Sequence, residues 1–384
     1  MPLDLRKKVA IVGVGCTQFG ELYDKSPEDL MCDAVGEALA DAGCARERIE
    51  AAWVGTVMST FGGDALADAL KLFGRPMTRV QNYCASGMDA LRNACLAVAS
   101  GMHDVALAVG FEKMRDGGFA RPNRSHPVLD FGERAPHIFA LSANRYFAKF
   151  GATKKTLAAV AVKNHRHGLK SPKAHLRMEV NEETVLRAPM IYSPLGLFDC
   201  CPTTDGAAAA ILTRADLASK FTDRYSVIRG IAYAVTAGYW NTQFDPSWNF
   251  TSFRATREAA KAAYKMAGVS NPAKEIKVAE CHDCFTITEI VNYEDLGFFE
   301  PGAGWRAARS GETRLGGSLP INTSGGLKSC GHPIGSSGIR MINNIHDQLL
   351  GRAGKMQVAG ADMGLAHNLG GPGAVSAVAV LSQP

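Results

Sequence analysis

Cys84 stands in Asn-Tyr-Cys-Ala-Ser-Gly, where a strand-like run (Thr78–Tyr83) gives way to a helix-like one (Ser86–Gly101). Backbone N–H groups and the positive end of a helix dipole converge at such a junction and favour a thiolate. The small residues after it leave room for a carbonyl to approach. From position alone Cys84 reads equally well as a nucleophile or as a buried structural thiol. A thiol needs a base, and imidazole has the side-chain pKa nearest neutrality. His332, in Gly-His-Pro-Ile-Gly at another helix start, is one candidate; capping of its own helix is the plainer alternative. His282-Asp283-Cys284-Phe285 follows a buried strand, a place where α/β proteins put reactive groups. Cys281 and Cys284 also form a Cys-x-x-Cys pair. Zinc would need two more ligands, for which Cys330-x-His332 is the only candidate in the sequence, and structural zinc sites normally pair two tight knuckles. A thioredoxin-like role lacks its usual surroundings. His367-Asn368-Leu369-Gly370-Gly371-Pro372-Gly373 reads as a glycine-rich turn whose N–H groups can meet a ligand oxygen, or as a plain hairpin. Taken together, four Cys/His elements lie at strand ends or helix starts. They supply what acyl transfer through a thioester requires: nucleophile, base, second acid/base and oxyanion donors.

Alternating strand-like and helix-like stretches must position these residues. Lys8–Gly15, Ala51–Met58 and Asp104–Gly110 read as strands. Ser26 with Pro27 reads as the start of a helix whose apolar face is Leu30, Ala34, Val35, Ala38 and Leu39. Strands as uniformly apolar as Asp104–Gly110 are buried on both faces, which predicts a mostly parallel sheet covered by helices. Residues 112–200, rich in Arg, Lys, His and Pro with one helix-like block at Ala140–His165, read as an inserted loop domain. The strand rhythm returns at Asp205–Thr213 and repeats through Tyr225–Val235, Ile276–Glu280, Leu319–Asn322, Gln357–Ala366 and Ala374–Leu381, with helices at Ser252–Ala267, Phe285–Leu296 and Gly335–Leu350. Duplication of one α/β unit explains the repeat and would bring two helix starts, after Cys84 and after His332, near one another. The expected organisation is an N-terminal half from 1–111 and 201–245, the insert 112–200, and a C-terminal half from 246–384.

The 384 residues, 46% hydrophobic and 21% charged, exclude a disordered, collagen-like or coiled-coil chain. No apolar run approaches the roughly 20 residues of a membrane span. A net charge of +5 is too mild for a nucleic-acid coat and suits a protein that handles anionic small molecules. Ten scattered cysteines, without a cleavable signal pattern or a peroxisomal Ser-Lys-Leu ending, point to reduced thiols and a cytoplasmic location.

Across essentially its whole length the chain resembles the thiolase superfamily. Asn-Tyr-Cys84-Ala-Ser-Gly looks like the nucleophile motif, Gly-Gly-Leu-Lys-Ser-Cys-Gly-His332-Pro-Ile-Gly like the second signature, and the final glycine-rich turn like the third. The resemblance implies a five-layer α/β/α/β/α fold of two duplicated mixed-sheet halves, with the insert covering coenzyme A, and a homodimer or homotetramer. Two departures from the common thiolases, His-Asp-Cys-Phe for Asn-Glu-Ala-Phe and His367 in place of the C-terminal acid/base cysteine, are shared with the sterol-carrier-protein and archaeal acetyl-CoA acetyltransferase branch. There Cys284 would replace the missing cysteine. The implied roles are Cys84 as acyl carrier, His332 as its activator, and His282 at the thioester oxyanion. His367 would be a hydrogen-bonding support, and the N–H groups of Cys84 and of Leu369–Gly370 would form a second oxyanion hole. Coenzyme A enters as substrate, with no resident cofactor or metal. Lys163, Arg166 and Arg177 would meet its phosphates, or else form a solvated helix face; Cys201 and Thr203 lie where thiolases approach the pantetheine arm. Alternatives are a thiolase-fold retro-aldolase, a ketosynthase-like condensing enzyme, and a non-catalytic lipid-handling partner. A small partner protein in a multienzyme complex is a further expectation.

Overall fold

In the computed structural model the described residues are 5, 8–117, 135–236 and 249–384. Residues 118–134 of the expected insert and the expected boundary at 245/246 lie outside them. The strands are β1 (Val9–Cys16), β2 (Ala51–Gly55), β3 (Met77–Val80), β4 (Val105–Glu112), β5 (Met190–Tyr192), β6 (Leu195–Gly196), β7 (Gly206–Arg214), β8 (Ser226–Val235), β9 (Val278–Glu280), β10 (Met363–Gly370) and β11 (Val375–Ser382). Apart from the β5–β6 hairpin they join in the order β3-β2-β4-β7-β1-β8-β11-β10-β9.

The duplication is explicit in that order. In the first half β2 pairs in parallel with β3 and β4, while β7 runs antiparallel to both β4 and β1. In the second, β9 pairs in parallel with β10 and bridges Ile321, while β11 runs antiparallel to both β10 and β8. The halves meet edge to edge where Ala10 and Ile11 oppose Val227 and Ser226. The sheet is therefore mixed, not mostly parallel: burial on both faces makes a strand wholly apolar whatever its direction.

Helix Pro27–Ala42 begins as its sequence dictates. Ser26 accepts from the Asp29 N–H, Asp29 returns the bond to the Ser26 N–H, and Pro27 fills the first position. It packs on the outer face of the first half-sheet, as helix Arg254–Ala267 does on the second. Between the two half-sheets lie helices Ser86–Ala99 and Ser337–Leu349, packed on each other as the central layer of five. Their starts touch backbone to backbone. A Cβ on Gly87 would lie 2.3 Å from the Gly335 carbonyl oxygen, and one on Gly338 would lie 2.7 Å from the Met88 nitrogen. Only glycine permits that approach, and it brings the Cys84 and His332 loops together.

Three segments differ from the sequence reading. The Ala140–His165 block is two helices, Ala135–Phe150 and Lys154–Gly168, separated at Gly151, whose φ of 74° ends the first. Leu319–Asn322 contributes one bridge, at Ile321, and no strand. Gln357–Val358 stays outside β10 because Gln348 holds it: the Gln348 carbonyl accepts from Gln357 Nε2 at 2.9 Å and Gln348 Oε1 from the Val358 N–H at 2.7 Å.

Candidate active site

Cys84 follows β3 in a turn closed by Ser86, whose Oγ accepts from the Asn82 N–H at 2.8 Å and donates to the Tyr83 carbonyl at 2.6 Å. Asn82 Nδ2 donates to Asp89 at 2.7 Å, fixing the turn to the helix. Tyr83 has φ 52°, a left-handed conformation that costs a non-glycine residue about 1 kcal/mol and sets Cys84 at the helix start. The Cys84 sulfur receives the Gly371 N–H; burial pushes its pKa up to about 12, and the Glu112 carboxyl adds to the rise.

One ring nitrogen each of His282 and His332 lies with the Cys84 sulfur in a group whose members are all within 4.8 Å of one another. The two rings stand at 86° with centroids 5.3 Å apart. Hydrogen bonds set opposite tautomers on them. Ser337 Oγ donates its one proton to the Pro333 carbonyl at 2.8 Å, so its 2.8 Å bond to His332 Nδ1 requires a proton on that nitrogen. His332 Nε2, buried and without a partner among the described residues, is left as a bare lone pair. Asn368 Nδ2 donates to His282 Nδ1 at 3.1 Å, which places the His282 proton on Nε2. Burial and the Arg340 cation lower the His332 pKa to about 3. Burial, then His332 and His367, hold His282 well below the usual range. The resting site thus carries uncharged thiol and uncharged imidazoles, one an acceptor and one a donor.

Cys284 is 7% exposed and lies beside this group. Burial, then the Cys201 and Cys84 sulfurs, raise its pKa. Its sulfur is 4.0 Å from Thr288 Oγ1, and its carbonyl accepts from the Cys201 N–H at 2.9 Å. Asp283 points away from the site. It accepts from the Leu327 and Lys328 N–H groups and from Asn164 Nδ2, which ties the block to the loop leading to His332.

Some expected placements change. His367 is fully buried. Its Nδ1 accepts from the His282 N–H at 3.3 Å and its Nε2 meets Thr256 and Ser376 at 3.1 Å, so it holds the backbone of His282 from behind. Leu369 and Gly370 belong to β10, registered opposite Ser376 and Val375; the amide that reaches Cys84 is that of Gly371, one residue on. The glycine-rich turn is shorter than it reads, because His367 to Gly370 continue an apolar strand. Lys163 does not face solvent: it is 4% exposed and bonded to Glu289, Tyr293 and the Ile321 carbonyl. Arg166 and Arg177 are exposed, and Cys201 and Thr203 are half-buried. A cavity of 320 Å³ lined by Arg166, His167, Lys170 and Arg314 is separate from the Cys84 group. The zinc set of Cys281, Cys284, Cys330 and His332 is not gathered; among the described residues the group able to share an ion is Cys84, His282 and His332.

The sequence reading missed three positioning residues. Glu112 accepts from Thr56 Oγ1 and from the Val57, Met58 and Gly335 N–H groups, joining the halves beneath the site. Its signal was a carboxylate closing an otherwise apolar strand. Asn368, a polar residue inside β10, and Ser337, five residues after His332, had no signal apart from the contacts themselves.

Comparison with known proteins agrees with this geometry. Residues 9–216 match the thiolase N-terminal domain and 237–383 the thiolase C-terminal domain-like family. An acetyl-CoA acetyltransferase of Methanothermobacter thermautotrophicus is 39% identical over 98% of this chain and all of its own. Sterol carrier protein 2 of Gallus gallus is 34% identical over 97% of this chain and 71% of its own. The solved Ltp2–ChsH2(DUF35) aldolase superposes with a TM-score of 0.87 at 25% identity, covering 99% of each chain. Family matches on both halves and a full-length relative establish that the chain belongs to the thiolase family.

Proposed function

We propose that the protein is an acyltransferase of the acetyl-CoA C-acyltransferase type, cleaving a 3-oxoacyl-CoA with coenzyme A or running the reverse Claisen condensation. The observation that carries this is the Cys84 sulfur grouped with two imidazoles of opposite tautomer. His332 Nε2 takes the Cys84 proton as the sulfur attacks the 3-oxo carbon. The raised thiol pKa and lowered imidazole pKa require that transfer to accompany attack rather than precede it. The C2–C3 bond then breaks, and its electron pair leaves as the enolate of acetyl-CoA. The His282 Nε2–H stabilises that enolate oxygen, while the Cys84 and Gly371 N–H groups face the oxygen of the acyl-cysteine. Cys284 gives its proton to the enolate carbon and regains one from incoming coenzyme A. The coenzyme A sulfur takes the acyl group, and Cys84 leaves to be reprotonated from His332.

Coenzyme A is a substrate in this scheme, and no resident cofactor or metal is called for. Residues 112–200 would cover it. A homodimer or homotetramer and a cytoplasmic location belong to the same reading. A small partner protein is supported by the ChsH2(DUF35) component named with the aldolase. That likeness also supports a second reading, retro-aldol cleavage without a covalent intermediate. The test is coenzyme A-dependent loss of acetoacetyl-CoA absorbance. Cleavage that needs free coenzyme A supports the thiolase reading; cleavage of a 3-hydroxyacyl-CoA instead would replace it.

A further inference from the structure

Val162, Arg166 and Lys170 recur at four-residue spacing along helix Lys154–Gly168 and the turn after it, so they line one side of the same cavity. The buried Lys163 and His167 line it from within, and the Arg314–Leu315 segment lines it from across. That segment is pinned to the helix. The Leu315 N–H donates to His167 Nε2 at 3.0 Å, so the proton of His167 sits on Nδ1 and goes to the Asn322 carbonyl at 2.9 Å. The enclosed volume is 320 Å³, within the range of about 300–1,000 Å³ that small-molecule sites occupy. Arg166 and Arg314 are exposed, so the cavity opens to solvent.

Every ionisable side chain that lines it is basic. His167 stays neutral, because burial and then the Lys163 cation lower its pKa to about 3. Lys163 is spent on Glu289. Arg166 approaches Glu179 only to 3.9 Å, with both side chains more than half exposed, and such a pair holds little. Among the described residues Lys170 and Arg314 form no ion pair. The carbonyls at the end of the helix, which would repel an anion, are already met: those of His165 and His167 accept from the Leu169 and Lys170 N–H groups at 3.1 and 2.9 Å. Arg166, Lys170 and Arg314 therefore face one concave space with no carboxylate on its wall, an arrangement that focuses positive potential. The field is bounded, since the adjoining cavity that shares Arg166 is lined by Glu179 and Glu182.

We propose that this cavity binds the diphosphate group of a small molecule, with the Arg166 and Arg314 guanidiniums and the Lys170 ammonium as its partners. Arginine presents parallel N–H donors that match phosphate oxygens, and a diphosphate carries charge enough to meet all three cations. The cavity shares no lining residue with the Cys84 group, so the site stands apart from the activity proposed above. Two sources carry this chemistry: the diphosphate of coenzyme A, or that of a separate ligand.

The test is calorimetric titration of the full chain with inorganic pyrophosphate in about 0.15 M sodium chloride, where diffuse surface attraction is screened. Saturable binding is expected. The double variant Lys170→Gln/Arg314→Gln, checked for native circular dichroism, should weaken it by about tenfold or more, because charge-assisted hydrogen bonds are lost. Lys220→Gln removes an exposed cation from another element and should leave the affinity within about twofold. Repeating the titration on protein saturated with coenzyme A separates the sources. Loss of pyrophosphate binding assigns the site to the diphosphate of coenzyme A, and undiminished binding assigns it to a separate ligand. No heat at millimolar pyrophosphate, binding that the double variant leaves intact, or an equal loss in Lys220→Gln overturns the assignment. None of these readouts depends on turnover, so a failure here leaves the proposed activity untouched.

Discussion

Replacing Ser337 with alanine isolates the proton that makes His332 a base. In the native site Ser337 Oγ accepts the His332 Nδ1–H at 2.8 Å, and Nε2 is left as the lone pair beside Cys84. Without the hydroxyl, the Nδ1–H is buried and unpaired, at a cost of about 1–3 kcal/mol. Nε2 has no partner either, so moving the proton there brings no relief, and the imidazolium that forms as Nε2 takes the Cys84 proton loses the oxygen that stabilised its Nδ1–H. That loss is carried into the transition state at about the same 1–3 kcal/mol, so the acylation rate should fall roughly 5- to 150-fold. The alanine lies at the first position of a helix, where no intrahelical bond depends on the serine side chain, and folding should persist. Rapid-mixing measurement of acyl-enzyme formation from acetoacetyl-CoA reads the step directly. Acylation within twofold of wild type would show that Ser337 does not set the tautomer, and the base assignment for His332 would lose its structural support.

Cys284→Ala should still trap the acyl-enzyme while turnover falls by orders of magnitude, because covalent and proton-transfer roles are separable; near-normal turnover would move the second acid/base to water. Lys163→Met leaves Glu289 buried without its cation and should cost about 3–5 kcal/mol in urea unfolding, whereas a loss below about 1 kcal/mol would contradict the buried pair. His165, His167, His332, His346 and His367 all have folded pKa values near 3, below the usual 6.5, chiefly through burial. Depressed values favour the folded state above pH 6.5 and withdraw that stability as pH falls toward 3, by up to about 1.4 kcal/mol per unit for each group. The urea midpoint should therefore drop steeply between about pH 7 and pH 5, and a level midpoint would contradict the burial of these rings.

The sequence made the repeating α/β units and the four Cys/His elements legible because each is local. A β-branched run, a cap such as Ser26-Pro27, or a cysteine between strand and helix carries its meaning within a few residues. Strand direction was not local. The mixed sheet depends on where β7 and β11 return, and their composition is the same for either direction. Gly151 split a helix that composition alone joined. The chemistry divided in the same way. Cys84, His282 and His332 were only candidates when taken singly, each with a plainer structural reading, and their grouping depends on two glycine-lined helix starts from different halves. Residues that act through one contact, such as Ser337 on His332 or Asn368 on His282, carry no sequence pattern. Lys163 misled for the opposite reason: a basic stretch reads as a phosphate-binding face until the fold buries one of its members against Glu289.

Intact-protein mass spectrometry after brief exposure to acetyl-CoA, followed by peptide mapping, tests the covalent step at its source. A single acetyl group on the sulfur of residue 84, absent from Cys84→Ala, is the outcome required of a thioester-forming enzyme. An unmodified protein that still turns over substrate, or an acetyl group that persists in Cys84→Ala, would contradict it.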